Sequence, residues 1–399
     1  MKYASIIPLI GGMTLGNKKI VGKNPEAIFS YSAFQANDSH IVNYLEDVPY
    51  FKLDEMSEEE KSNITEQYAG LDFITTVCPC AGLSMMNVNA SSDYKSNQWM
   101  LESAEYVLSS LRPKVFWGEN APGLYTKMGR PVVEKLRKIA SDNGYSMSMM
   151  KTSTILHGVP HRRQRTFYFF WKGSKVPELN YYEEKGKELL DYLNEIPEGS
   201  SMTGWHPTGS KAVPPSTYRP YQWWLKKSGM NHSEFVRHAR EKKCRTFFGY
   251  IHKMGLWEDL NDWAKTIDWE KMPKPFHRHG HHVFHCYKKA MMGKGWWDPS
   301  PLLVLEDVNA VTGRMMCHGV HPQKERLLDL RECMHLMGMP HDMTLNHEKE
   351  YNHIAQNVPV KTASDWTQEV VKFINGELKL TEYDFIRQSN FKQKIEEAI

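Results

Sequence analysis

Two cysteines stand around one proline in ITTVCPCAGLSMMN, Cys78 and Cys80, at the end of a β-branched run. A thiolate is a nucleophile, and a free thiol with a pKa near ~8.5 needs help to ionise at neutral pH. Pro79 before Cys80, and Ala81 and Gly82 after it, favour exposure and close backbone approach. The competing reading for either thiol is an inert, packed cysteine. A metal pair is disfavoured, because no second Cys-x-Cys or Cys-x-x-Cys occurs. About forty residues on, VFWGENAPGL places Glu119 and Asn120 at the end of another apolar run. A carboxylate there can hold or donate a proton at a heterocycle nitrogen, or the pair can serve as an ordinary turn or helix cap. Third, HGVPHRRQRTFYFFW sets Arg162, Arg163 and Arg165 before an apolar run. In an extended chain Arg163 and Arg165 share a face. Two guanidinium groups pointing one way suit a pyrimidine carbonyl or phosphates; a solvated basic edge is the alternative.

These residues need elements that carry them to one place. Up to about residue 172, short apolar runs alternate with helical stretches. The predicted strands are YASIIPLI, AIFSYSAF, DFITTVCP, KVFWGEN and RTFYFFWKG. In NQWMLESAEYVLSSLRP, Met100, Ala104, Val107, Leu108 and Leu111 fall at helical spacing and Pro113 stops the run; PVVEKLRKIASDNG is a second predicted helix, ending at Gly144. Such alternation predicts a parallel, doubly wound α/β sheet, which binds ligands at the carboxyl ends of its strands. Pro79-Cys80 and Glu119-Asn120 each follow a strand directly. From about 173 to 310 the chain is rich in Trp, His, Lys and Pro, with poor periodicity, which predicts a separate, irregular domain. Helical pattern returns in LLDLRECMHLMGMP, and one or two helices are expected after AQNVPVKTASDW.

Composition narrows the class. Of 399 residues, 41% are hydrophobic and 24% charged, ordinary values for a globular protein with a proper core. No run approaches the roughly 18 apolar residues of a membrane span, and the glycine-broken N-terminus does not read as a signal peptide. Six widely scattered cysteines suit a reducing cytoplasm better than a disulfide framework. A net charge of +3 gives no global basic field, so any nucleic-acid contact must rest on local clusters.

Pro79-Cys80, Glu119-Asn120 and Arg163-x-Arg165, in this order and spacing, resemble the cytosine-C5 DNA methyltransferases. HPQKERLLDLRECMHLMGMP, with Arg331-Glu332, is similar to the stretch that closes that family's recognition domain, and AQNVPVKTA looks like its last motif. The likeness covers most of the chain except the middle. It implies an α/β, S-adenosylmethionine-dependent (Rossmann-like) domain from 1–172 plus 350–399, and a smaller, irregular DNA-recognition domain from 173–349. It implies a cytosine flipped out of double-stranded DNA and methylated at carbon 5 through a Cys80 adduct at carbon 6. Glu119 would then hold the ring at N3 and the amino group, Arg165 would contact the base carbonyl, and Arg163 would lie near the Cys80 loop. Cys78 becomes packing, and AGLSMMNVNASSDYKSNQW becomes the loop that closes over DNA. A monomer with no membrane association is expected, with a cognate restriction endonuclease among the partners to look for.

On the cofactor side the resemblance assigns Leu9, Ile10, Gly11 and Gly12 to the turn that approaches S-adenosylmethionine. Gln35 falls at the ribose position and Asp54 near the adenine, with Pro79, Asn120, Gln356 and Val358 completing the set. The chain departs from the family here. Ile7-Pro8-Leu9-Ile10-Gly11 replaces Phe-x-Gly-x-Gly, and Gln35 replaces a glutamate. Ala355-Gln356 replaces Gly-Asn, and His161 replaces a glutamine. These departures leave open a modified S-adenosylmethionine as donor. The tRNA-acting relatives share the catalytic set, but the long middle segment favours DNA. A DNA binder without chemistry is the non-enzymatic alternative, against which the intact Cys80, Glu119 and Arg165 argue. In FHRHGHHVFHCYKK, residues His277, His279, His281, His282, His285 and Cys286 suit either zinc or a DNA-facing loop, and the spacing favours the loop. Trp223, Trp224, Trp296 and Trp297 read as core.

Overall fold

The computed structural model describes residues 1–84, 87–207, 215–308, 310–392 and 394–397. The strands are β1 Tyr3–Ile6, β2 Ile28–Ser30, β3 Tyr50–Lys52, β4 Phe73–Thr76, β5 Val115–Asn120, β6 Tyr145–Ser153, β7 Gln164–Lys172, β8 Leu302–Leu303, β9 Gly319–Val320, β10 Phe385–Ser389 and β11 Lys394–Glu397. The helices in the first half are α1 Gly12–Val21, α2 Gln35–Leu45, α3 Glu58–Tyr68, α4 Gln98–Tyr106 and α5 Arg130–Asp142. They continue as α6 Leu189–Leu193, α7 Arg219–Ser228, α8 His232–Glu241, α9 Phe247–Lys253, α10 Trp257–Lys265, α11 His277–Met291 and α12 Gly313–His318, and end with α13 Leu330–Leu336, α14 Tyr351–Gln356 and α15 Val360–Ile374.

Two compact units result: 1–187 with 334–346 and 352–399, and 188–333 with 347–351. Residues 173–187 and 334–346, which the sequence pattern grouped with the middle segment, thus pack with the sheet.

Among the described residues the first unit holds a nine-stranded sheet in the order β11-β10-β6-β7-β5-β4-β1-β2-β3. The run β3-β2-β1-β4-β5 is parallel throughout. β4 and β5 are buried along their whole length, as unbroken apolar strings must be when helices cover both faces. The sheet is not wholly parallel as expected, because β7 runs antiparallel to both β5 and β6. The segment joining β6 to β7 is too short for a crossover helix, so only a hairpin can form. This reversal matters. It brings the amino end of β7, with Arg163 and Arg165, to the sheet edge where β1, β2, β3, β4 and β5 end. The C-terminal segment also differs from expectation. After α15 it forms β10 and β11, which extend the sheet beyond β6.

The second unit is helical rather than irregular. Phe235, Phe247, Phe248, Tyr250, Trp257 and Tyr221 bury into one aromatic core, whose rings meet mostly edge to face. The histidine-rich stretch expected as a loop is α11. Its His279, Val283 and Cys286 are buried at helical spacing, whereas His277, His281 and His285 fall on an exposed face. Trp224 is buried, Trp223 and Trp296 pack partly against the core, and Trp297 is 61% exposed, so it is not core.

Candidate active site

The edge formed by the ends of β1, β4 and β5 and the start of β7 gathers the four residues expected to carry chemistry. After β4 the chain leaves the sheet through Val77, whose N–H donates to the Ile7 carbonyl at 3.1 Å. It then turns at Cys80, with φ −94° and ψ 3°, into a short 3-10 turn, Ala81–Leu83. That bridge conformation is common where a side chain must be presented. All six cysteines are free. Five are buried and only Cys80 is half-buried. Cys78 Sγ lies 3.2 Å from Thr76 Oγ1 and 3.9 Å from Ser103 Oγ, and burial pushes its thiol up to about 11. Cys78 is thereby sealed and protonated at neutral pH, and Cys80 is the accessible thiol of the pair.

Glu119 and Asn120 end β5 and are 2% and 0% exposed. Asn120 Nδ2 reaches the Cys78 carbonyl at 3.5 Å, and Asn120 Oδ1 accepts from the Ala121 N–H at 2.8 Å. The amide therefore ties the end of β5 to the end of the cysteine strand. The Glu119 carboxylate pairs with Arg165 through Oε1 and Nε. Arg165 faces Thr152 across the β6–β7 register, so the strand pairing sets its position.

Arg163 stands just before β7 and is 2% exposed. Thr154 fixes its backbone on both sides: Thr154 Oγ1 accepts from Arg163 N–H at 2.9 Å, and Thr154 N–H donates to the Arg163 carbonyl at 3.1 Å. Burial and the neighbouring Arg165 push Arg163 below the usual guanidinium range, while Glu119 and Cys80 favour its charge. Arg163 is thus electrostatically in touch with both the carboxylate and the thiol. His161, beside these arginines, is 0% exposed. Burial, then Arg163 and Arg165, lowers it to about 3. It is a neutral imidazole, which two adjacent cations can tolerate.

The segment after Cys80 folds back on itself. Gly82 N–H donates to Ser96 Oγ at 3.0 Å, and the Gly82 carbonyl accepts from Ser91 N–H at 2.9 Å. Asn97 closes the fold by donating to the Ser91 and Ser92 carbonyls. Val88 at the tip is 98% exposed. Met85 and Met86, part of the expected closing loop, lie outside the described residues.

The expected cofactor residues sit at the neighbouring strand ends. Leu9, Ile10, Gly11 and Gly12 form the turn between β1 and α1, and all four are buried. Gly11, at φ 96°, caps the helix in the left-handed region. A Cβ on Gly12 would lie 2.0 Å from the Val358 carbonyl oxygen, so only glycine fits against the segment before α15. Val358 is fully buried there. Asp54, just past β3, accepts from Ser32 at the end of β2 through the backbone N–H at 2.8 Å and through the hydroxyl. Partial burial opposes ionisation of Asp54, but the Ser32 bonds outweigh it and hold the carboxyl below its usual range. Gln35 opens α2, is exposed, and lies 3.4 Å from Lys52 Nζ. Gln356, itself exposed, accepts through Oε1 from the buried Asn37 Nδ2 at 2.9 Å. Pro79 is half-buried beside Cys80.

One residue here escaped the sequence reading. Asn357, fully buried, accepts the Gly12 N–H through Oδ1 at 2.8 Å and so holds the first turn of α1. Its signal was the asparagine itself, one place beyond the Ala355-Gln356 pair that drew attention.

A glycine-requiring turn at the end of β1, with an acid at the end of β3, is a cradle that S-adenosylmethionine fits. Comparison with known proteins shows the family. The sequence profile of the C-5 cytosine-specific DNA methylase family matches residues 1–372. The type II methyltransferase M.PspPI of Psychrobacter sp. is 23% identical over 322 residues, 79% of this chain and 68% of that protein. M.Bpa9945I of Bacillus paralicheniformis is 20% identical over 336 residues, 77% and 71% of the two chains. Among solved structures, a DNA modification methyltransferase encoded within an Escherichia coli prophage superposes with a TM-score of 0.57 at 14% identity, over 94% of this chain and 99% of that one. The Entamoeba histolytica methyltransferase EhMeth gives 0.54 at 11% identity, over 94% and 98%.

Proposed function

The chain belongs to the C-5 cytosine-specific DNA methylase family and is a DNA cytosine-5 methyltransferase; within that activity we propose that Cys80 is the nucleophile and that Glu119, Arg163 and Arg165 are its catalytic partners. The observation that carries this is the accessible thiol together with a buried Glu119 paired to a partly exposed Arg165, at a sheet edge where Arg163 senses both. Cys80 Sγ bonds to carbon 6 of the flipped base, and the electron pair of the 5,6 double bond moves toward carbon 5 and the N3–O2 side of the ring. Glu119 meets the ring at N3 and the amino group, and Arg165 meets the O2 carbonyl, where charge develops. Because Glu119 is buried and already paired with the partly exposed Arg165, little reorganisation is needed when the base arrives. After carbon 5 is methylated, loss of its proton expels the Cys80 thiolate and restores the double bond.

Family and fold imply S-adenosylmethionine, which supplies an electrophilic methyl group when bound. We assign its cradle to Leu9, Ile10, Gly11 and Gly12, with Gln35 and Asp54 at the next two strands. Pro79, Asn120, Gln356 and Val358 complete the lining. Target reading we assign to the helical second unit, where α11 exposes His277, Arg278, His281, His285 and Lys288 together, groups suited to phosphates. We also infer a monomer working in the cytoplasm; the type II names of the relatives support a cognate restriction endonuclease beside it. No helix among the described residues is long and apolar enough to cross a membrane.

Nucleoside mass spectrometry of DNA from cells expressing the wild-type chain or Cys80→Ser tests this reading. A deoxycytidine heavier by one methyl group, absent with the variant, is expected. A different added mass would mean a modified donor, and methylcytosine persisting with Cys80→Ser would remove the nucleophile.

A further inference from the structure

The turn from β1 into α1 carries backbone strain that its sequence does not relieve. Ile7 and Leu9 adopt φ 48° and 52°, in the left-handed region that L side chains rarely enter. Ile7 is β-branched, for which this conformation is a true outlier. Such a turn persists only when its surroundings hold it.

What surrounds it is a buried carboxyl group. Asp38, on the first turn of α2, is 0% exposed. Its Oδ2 accepts from Ser30 Oγ at 2.5 Å and from Tyr50 Oη at 3.2 Å. The Leu9 N–H faces the same carboxyl group, yet Oδ1 closes no full hydrogen bond. Burial raises this acid to about 7, against the opposing pull of Ser30, Tyr50 and Leu9. The groups that face it are thus Ser30 from β2, Tyr50 from β3 and the Leu9 backbone from the turn. Tyr50, raised by its own burial and then by Asp38, stays a donor, and Asp54 acts on Tyr50 from the end of β3. On α2 itself, His40 is engaged with His353 at 2.9 Å.

We propose that Asp38 is a positioning residue for the cofactor: its carboxyl group braces Leu9 in the left-handed conformation and so takes over the task that a glycine would perform in this turn. The inference rests on reading Leu9–Gly12 as the S-adenosylmethionine cradle. The brace runs from α2 through the Asp38 carboxyl to the Leu9 backbone, and the strands β2 and β3 hold its far side through Ser30 and Tyr50. An ionised carboxylate attracts the facing Leu9 N–H more strongly than the acid does, so the turn is held more firmly as Asp38 loses its proton.

The test is calorimetric binding of S-adenosylhomocysteine to the full chain, with melting of the ligand-free protein alongside. Asp38→Asn is expected to weaken binding about tenfold at pH 8 and to flatten its rise between pH 6 and 8, while the ligand-free protein melts no lower than wild type. Leu9→Gly in the Asp38→Asn background is expected to recover most of the loss, because glycine enters this region without strain. Unchanged affinity in Asp38→Asn, or no rescue by Leu9→Gly in a folded double variant, overturns the brace alone. Failure of the wild-type chain to bind S-adenosylhomocysteine overturns the cofactor reading, and the brace with it.

Discussion

Arg165 and Glu119 meet through Nε and Oε1 at the sheet edge, the arginine from β7 and the carboxylate from the end of β5. They lie on antiparallel neighbours, Glu119 facing Phe167 and Asn120 facing Thr166 in the register. Had β7 run parallel to β5, its amino end would lie at the opposite edge and no such pair could form. The strand reversal is therefore a condition for this pair.

Removing one partner of this pair should be costly. In Arg165→Ala the Glu119 carboxylate, 2% exposed in the wild-type chain, loses its guanidinium partner, a loss of about 3 kcal/mol or more. Activity is expected to fall by at least about 100-fold. Arg165→Lys keeps the charge but lacks the planar fork, so it should recover only part. Steady-state rates on cytosine-containing duplexes, with melting curves for both variants, check this. Equal activity for all three proteins would separate the pair from catalysis.

The join between α1 and the segment before α15 should be intolerant of bulk. A Cβ at Gly12 would sit 2.4 Å from Asn357 Oδ1 as well as against the Val358 carbonyl. Gly12→Ala should therefore lose S-adenosylhomocysteine binding. Asn357→Ala leaves the Gly12 N–H without its acceptor, at about 1–3 kcal/mol, which should show as a melting point lower by several degrees. Wild-type melting in Asn357→Ala would mean that the 2.8 Å bond contributes nothing.

His161 gives a pH signature. Its folded-state pKa of about 3 lies below the ordinary imidazole value of 6.5. The stability this buried neutral ring carries is present above about pH 6.5 and is lost as pH falls toward 3, by about 1.4 kcal/mol per pH unit. His157 acts in the same sense: its burial outweighs the contrary pull of Asp365, 2.8 Å away, and lowers its pKa too. His161→Gln removes the titrating group, so the variant should gain on wild type between pH 6.5 and 5. Denaturant unfolding at several pH values measures the difference, and parallel curves would contradict the assignment.

The parts of the site that were legible in the sequence share one property. Cys80, Glu119 and Arg165 adjoin apolar runs that could only be buried strands, so strand position and chemistry were read together. Other features left weaker traces. β6 is YSMSMMKTS, whose serines are buried in the sheet and break any apolar period, so the hairpin partner of β7, and with it the antiparallel turn, went unseen. β10 is short and follows a polar segment that looked like the tail of a helix. In the second unit, aromatic and histidine side chains serve as core, which blurs a hydrophobic stripe such as that of α11. Asp38 looked like one more polar residue of α2, because nothing local marks a carboxyl group that is buried by a turn thirty residues away.

The proposed covalent step through Cys80 is tested most directly on duplex DNA carrying 5-fluorocytosine at the target site. Fluorine at carbon 5 cannot leave as the proton does, so the β-elimination that frees the thiolate is blocked. The account predicts a denaturation-resistant protein–DNA complex that forms with S-adenosylmethionine present, with the nucleotide mapped by peptide mass spectrometry to Cys80, and no such complex with Cys80→Ser. A complex linked through Cys78 or another residue, or methylation of ordinary cytosine with no trapped species on the fluorinated duplex, would contradict it.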